Sequence, residues 1–210
     1  TFYMVHLTSG ETIEKIKSKY PDLINQKFLI ESCPHYFAFT EEALSKSDGY
    51  LYTMAPPLRT NNDQLKLKNN IDFVNTIGTD HCSYDIALKH KTLLNQMPLG
   101  IGGIEHSFSI MHSMFGDKII DKMTKNVASI YHLPTKGLIK TGMDADFCFY
   151  EIKPPFTIRE SHSAADNDIY LGMRVTTKVV RTVLRGKIIV QNSRFIPHQG
   201  MLIKGVDSDG

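Results

Sequence analysis

Residues 78–82 read GTDHC, which sets a carboxylate (Asp80), an imidazole (His81) and a thiol (Cys82) side by side after the apolar run from Phe73 to Ile77. Three chemistries fit that trio: a metal site, a catalytic base, or a polar turn closing a strand. Successive residues leaving a strand tip point in different directions, so the three can hardly chelate one ion together. Partners must come from elsewhere in the chain. Two more imidazoles stand in comparable places: His6 closes the run FYMVHL, and His35 follows KFLIES and Cys33-Pro34. Cys33 and Cys82 beside His35 and His81 raise a zinc site or a Cys/His nucleophile, but no C-x-x-C pair occurs, and Cys33 before a proline should point away from His35. Two imidazoles and a carboxylate suit Zn2+ or Mn2+, and the carboxylate would be a natural proton acceptor beside such an ion. Taken singly, each histidine also reads as a hydrogen-bonded structural residue, and Asp80 as an Asx cap.

The elements that must position these residues are short. Residues 2–7 read as a buried strand, and Thr8-Ser9-Gly10-Glu11 has the capping-box form T-x-x-E that opens a helix, stopped by Pro21. Further strands are expected at 27–32, 50–54 (YLYTM) and 72–79, with a helix from about Asn62 to Asn70 before the last. Strands alternating with helices predict βα units in a parallel sheet. Strand ends at His6, His35 and Asp80 place metal-capable residues where such folds gather function, at the carboxyl ends of strands. Helices are expected from Ile104 to His132 after the loop GIGG, at 100–103. Strands follow at 142–151 and at 177–190, the latter a hairpin around Arg185-Gly186. Residues 152–169 read as polar loop. The division this predicts is an α/β part over 1–134 and a mainly β part over 135–210.

With 41% hydrophobic and 22% charged residues and a formal charge of +2, the composition is that of a globular protein. Its basic residues are scattered, and KLKNN (66–70) reads as a solvated helix face, so a nucleic-acid partner is not expected. No apolar run approaches the ~18 residues of a spanning helix, so no membrane partner is expected either. An odd count of three cysteines at wide spacing fits a reducing compartment, and cytoplasmic is the expectation. Cys148, within FCFY, reads as a small core residue. The sequence opens inside a strand-like run without an initiator methionine, which we read as the middle of a longer protein.

In chain order, VHLTS (5–9), ESCPHYF (31–37), MAPPLR (54–59), GTDHC (78–82), GIGGIE (100–105), KGLIKTGMDADF (136–147) and VLRGKIIV (183–190) resemble the cyclic amidohydrolases of the amidohydrolase superfamily. Hydantoinases, dihydropyrimidinases, allantoinases and dihydroorotases are the nearest in kind. The resemblance implies an α/β fold: the C-terminal half of a (β/α)8 TIM-type barrel, strands five to eight, followed by a small β-sandwich portion. It implies a two-metal centre, most simply Zn2+, in which His6 and His35 match the histidines after strands five and six. Asp80 matches the strand-eight aspartate, both ligand and proton shuttle. Ala55, Pro56, Arg59, His81, Leu99 and Gly100 then fall in or beside the substrate pocket. The implied reaction is hydrolysis of a C–N bond in a cyclic amide or ureide, by an enzyme that forms a homo-oligomer.

The same resemblance calls for ligands that the sequence does not contain. No His-x-His occurs in the 210 residues, and no bridging lysine is matched. The expectation is therefore a fragment that needs the N-terminal half of the same enzyme and is inactive alone. Tyr36 stands where dihydroorotases usually carry a second histidine, and Ala55 where they tend to have asparagine, which leans away from dihydroorotase, while GIGGIE and DNDIYLGM (166–173) lean toward hydantoinase or dihydropyrimidinase. Leu99 departs from dihydropyrimidinases, and CPHY is similar to allantoinases. Non-catalytic relatives of dihydropyrimidinases that act as scaffolds are the alternative from another class. They lack the metal ligands, whereas all three expected in this half are present here.

Overall fold

In the computed structural model, which describes residues 1–203 and 205, strands β1 (Phe2–Met4), β2 (Phe28–Ser32) and β3 (Thr76–Ile77) form a parallel sheet in the order β1-β2-β3. The register pairs Tyr3 with Leu29, Met4 with Ile30 and Ser32 with Ile77. Parallel strands require crossovers. Helix α1 (Gly10–Lys19) connects β1 to β2, and α3 (Asn61–Asn69) lies on the longer route from β2 to β3. The two helices pack closely: a Cβ on Gly10 would lie 2.1 Å from the backbone nitrogen of Leu67. Ile13 and Ile16 of α1, Leu67 of α3 and Ile30 of β2 are buried together with Val74 and Ile77 as the core of this layer.

Local chemistry explains most boundaries. Helix α1 is capped by Ser9, not Thr8, with the Ser9 hydroxyl accepting from Thr12 N at 3.2 Å. The capping-box reading is thus displaced by one residue. Asp63 of α3 accepts from Glu11 N and from Ser9 Oγ, while Thr8 donates to the Pro57 carbonyl at 3.0 Å. A tertiary partner thereby takes the place of the local reciprocal cap. The expected strand at 50–54 is not formed. Gly49–Tyr52 is a 3-10 turn, with Gly49 wedged against the Leu44 carbonyl and Tyr52 edge-on to Phe39 at 5.1 Å. Aromatic side chains that favour a pleated surface find packing partners in a turn instead. The expected strand at 72–79 shrinks to Thr76–Ile77, because Ile71–Phe73 is also a 3-10 turn.

By contacts the chain divides into two units, Thr1–Phe108 with Thr157–Met173, and Ser109–Phe156 with the chain from Arg174 onward. The units do not coincide with a cut at residue 135: the helices from Ser109 group with the later strands, and residues 157–173 with the parallel sheet. Residues 204 and 206–210 of the expected 135–210 segment lie outside the described residues.

In the second unit, α5 (Ser107–Phe115), α6 (Ile120–Met123) and α7 (Lys125–Ile130) precede a sheet of order β4-β5-β6-β7. Its strands are β4 (Phe147–Thr157), β5 (Arg174–Leu184), β6 (Lys187–Gln191) and β7 (Arg194–Phe195). Strand β4 continues through Pro154-Pro155, residues expected to be loop. It is an edge strand, where proline is tolerated. Cys148 on this strand is exposed and not a core residue as expected. The expected hairpin forms, with Arg185 and Gly186 both at positive φ, 48° and 76°, the conformation of a tight primed turn. The DADF motif anchors that turn. Asp146 accepts from Arg185 N at 2.7 Å, Ala145 O accepts from Gly186 N at 2.8 Å, and Lys136 binds both Asp144 and Asp146.

Candidate active site

The three candidate ligands close the three neighbouring strands of the parallel sheet. His6 follows β1 with φ 40°, and Asp80 follows β3 with φ 46°. Non-glycine residues in this left-handed region are uncommon, strain of this kind clusters at functional sites, and here it falls on two of three candidates. His35 lies between them, in the first turn of α2 (Pro34–Ala38), which starts at Pro34 because proline suits the first helical position.

His35 is 1% exposed, and neither Nδ1 nor Nε2 has a hydrogen-bond partner. Burial, with a smaller contribution from His6, pushes its pKa down to about 3, so the ring stays neutral at physiological pH. A buried neutral imidazole with both nitrogens unpaired is costly as a structural residue and well suited as a metal ligand. His6 is half-buried and Asp80 exposed. Among the described residues no three His, Cys, Asp or Glu side chains are grouped as for a metal ion, so proximity of the three rests on strand order and on electrostatics. His6 acts on His35, and Asp80 on Cys33 and Tyr36. Cys33 is fully buried, and burial, followed by Glu31 and Asp80, pushes its thiol far up. It remains a neutral thiol, which removes Cys33 as a nucleophile paired with His35.

The remaining candidates divide by segment. Ala55 and Pro56 are joined by a cis peptide bond, and the turn is held from two sides: Tyr36 Oη donates to the Pro56 carbonyl at 2.9 Å and Thr8 to that of Pro57. Arg59 is exposed; its charge acts on Tyr36, and its carbonyl accepts from Glu41 N. His81 is exposed and accepts from Ile104 N at 3.3 Å. Cys82 N donates to Ile101 O at 2.7 Å, and Gly100 is buried so close to Cys82 that a Cβ would lie 2.8 Å from its carbonyl. Leu99 is 43% exposed.

Sequence reasoning missed Glu31 and gave residues 166–173 a resemblance but no structural role. Glu31 accepts from the Tyr3 hydroxyl at 2.5 Å, with Thr76 2.7 Å from the same hydroxyl, forming a polar layer across all three strands. Its carboxylate occupies the space beside Gly78, 2.6 Å from where a Cβ would stand, which accounts for the glycine two residues before Asp80. The stretch 166–173 also joins this unit. Asp168 accepts from Ser161 Oγ and Tyr170 N, His106 Nε2 lies 3.3 Å from it, and Tyr170 is buried over Gly103. Spacing alone gives no sign of either group.

With this geometry in hand, comparison with known proteins defines the class. A family model described as the amidohydrolase family matches residues 49–190, and the chain belongs to that family. It is 27% identical to the D-phenylhydantoinase of Escherichia coli over 213 residues, 94% of this chain and 46% of that protein. It is likewise 27% identical to the dihydroorotase of Latilactobacillus sakei over 204 residues, 92% of this chain and 47% of that protein. In three dimensions it matches a crystal structure of D-hydantoinase with a TM-score of 0.86 and 28% identity, over 92% of this chain and 45% of that one. The chain thus spans a little under half the length of the relatives it matches.

Proposed function

We propose that this chain supplies the C-terminal part of the catalytic centre of a metal-dependent cyclic amidohydrolase, of hydantoinase or dihydropyrimidinase type. The observation that carries the reading is His35, buried and neutral with both ring nitrogens unpaired, between the left-handed residues His6 and Asp80. In this reading β1, β2 and β3 correspond to barrel strands five, six and eight, residues 1–134 to half of the barrel, and 135–210 to the sandwich portion. His6, His35 and Asp80 would hold a divalent ion, most simply Zn2+. Such an ion supplies Lewis acidity toward a carbonyl and lowers the pKa of water.

The residues of the chain do the rest. Asp80 accepts the proton of the attacking water and passes it to the ring nitrogen as the C–N bond breaks. The cis-proline turn (Ala55, Pro56, Arg59) and the segment Leu99-Gly100, with His81 beside them, bound the pocket for the cyclic amide or ureide. The chain acts together with a polypeptide that supplies a His-x-His pair and a bridging lysine, in a homo-oligomer, in the cytoplasm, and is inert alone. A dihydroorotase-type substrate is the second reading, favoured by an identity to a dihydroorotase equal to that with the hydantoinase.

Equilibrium dialysis of the chain against zinc tests the ligand set. Occupancy is expected below one ion per chain, since most of a two-metal site is lacking, and to fall further in H35A and D80N. Zinc bound equally by the parent chain and both variants would contradict the assignment.

A further inference from the structure

Lys89 ends the short helix α4 (Ile86–Lys89) and is 1% exposed, yet among the described residues no carboxylate pairs with it. Its Nζ instead donates to two backbone carbonyls, Thr53 O at 2.8 Å and Gly100 O at 2.6 Å. Burying an ammonium without an anion is unfavourable, and short charge-assisted bonds to carbonyls offset that only in part. Burial accordingly pulls the pKa of Lys89 down to about 8. Surface lysines of the neighbouring sequence, such as Lys91, carry no such cost. A group held at this expense calls for an explanation in what it holds.

The two carbonyls belong to the two segments read above as pocket walls. Thr53 immediately precedes MAPPLR, and Gly100 opens GIGG next to Leu99. The same Thr53 carbonyl also accepts from Gly100 N at 3.2 Å. The next residue, Ile101, is bridged in parallel register to His81 and accepts from Cys82 N, directly after Asp80. One ammonium therefore stands where the cis-proline turn, the glycine loop and the segment after Asp80 meet.

We propose that Lys89 is a positioning residue for the substrate pocket, holding the 53–59 turn and the 99–102 loop in one register beside Asp80. The proposal rests on reading those two segments as pocket walls. Methionine at 89 would keep the volume and remove the donors, leaving the Gly100 carbonyl without its ammonium partner and the Thr53 carbonyl with Gly100 N alone, whereas arginine would keep donors and charge.

Amide hydrogen exchange on the full chain tests this, comparing wild type, K89M and K89R. In K89M, exchange within 53–59 and 99–102 should rise by about tenfold or more while α1 and β2 stay within about twofold of wild type. K89R should recover most of the protection in both segments. Unchanged protection in K89M overturns the proposal, as does an even loss that includes α1 and β2, which would make Lys89 a general stability residue. Failure of K89R to restore protection overturns the role of the donors. No turnover is read, so this test and the hydrolase reading can fail independently.

Discussion

The Tyr36 hydroxyl donates to the carbonyl of Pro56 at 2.9 Å while its ring stands edge-on to His35, 4.1 Å between centroids. One buried side chain thus links the candidate ligand after β2 to the cis-proline turn. Replacing Tyr36 with Phe keeps the ring and removes the bond. The expected cost is about 1 kcal/mol, since one buried carbonyl loses its partner and no cavity forms. Denaturant unfolding of Y36F measures it. A variant as stable as the parent would show that the turn is held without Tyr36.

Asp168 gathers the 157–173 stretch into the first unit. Burial alone would raise its carboxyl, but His106, the Tyr170 amide and the Ser161 hydroxyl together hold it below the usual carboxylate range. A carboxyl depressed in the folded state contributes stability that is complete above its unfolded value, near 3.8, and is lost as pH falls through the folded one. Asp168→Asn should cost about 1–3 kcal/mol at neutral pH and flatten the acid limb of the stability profile. Unfolding curves from neutral pH down to pH 3 check both parts.

Gly103 and Gly116 make a controlled pair. Both have positive φ, but a Cβ on Gly103 would lie 2.0 Å from the Tyr170 ring, while one on Gly116 meets nothing within 4 Å. G116A should therefore cost only the backbone term, about 1–2 kcal/mol. G103A should cost at least about 3 kcal/mol or fail to fold, because Tyr170 is buried and cannot yield. Calorimetric melting of the two variants separates the effects.

Much of this was legible in the sequence, for identifiable reasons. The strands around Tyr3 and Ile30, the helix after Ser9 and the Arg185-Gly186 hairpin follow from local patterning, capping and turn chemistry, and the structure has them. YLYTM misleads because Tyr50 and Tyr52 find their partners, His90 and Phe39, from a 3-10 turn. In FCFY, the edge position of β4 leaves Cys148 exposed. His6, His35 and Asp80 stand out because each closes a strand, a relation visible in one dimension. Lys89 and Glu31 do not. Their partners lie 11 and 36 residues away for the lysine and 28 for the glutamate, and nothing in LKHK or LIES distinguishes a charge with distant partners from a solvated one.

The central claim is that the chain carries part, but not all, of a hydrolytic metal centre. The most direct test is steady-state hydrolysis of hydantoin, dihydrouracil and allantoin with added zinc. The chain would be assayed alone and together with a polypeptide supplying the His-x-His pair and bridging lysine. No turnover is expected alone. Metal-dependent turnover, abolished by D80N, is expected when the two are combined. Clear metal-dependent turnover by the 210-residue chain alone would contradict the account, as would full activity of the D80N combination.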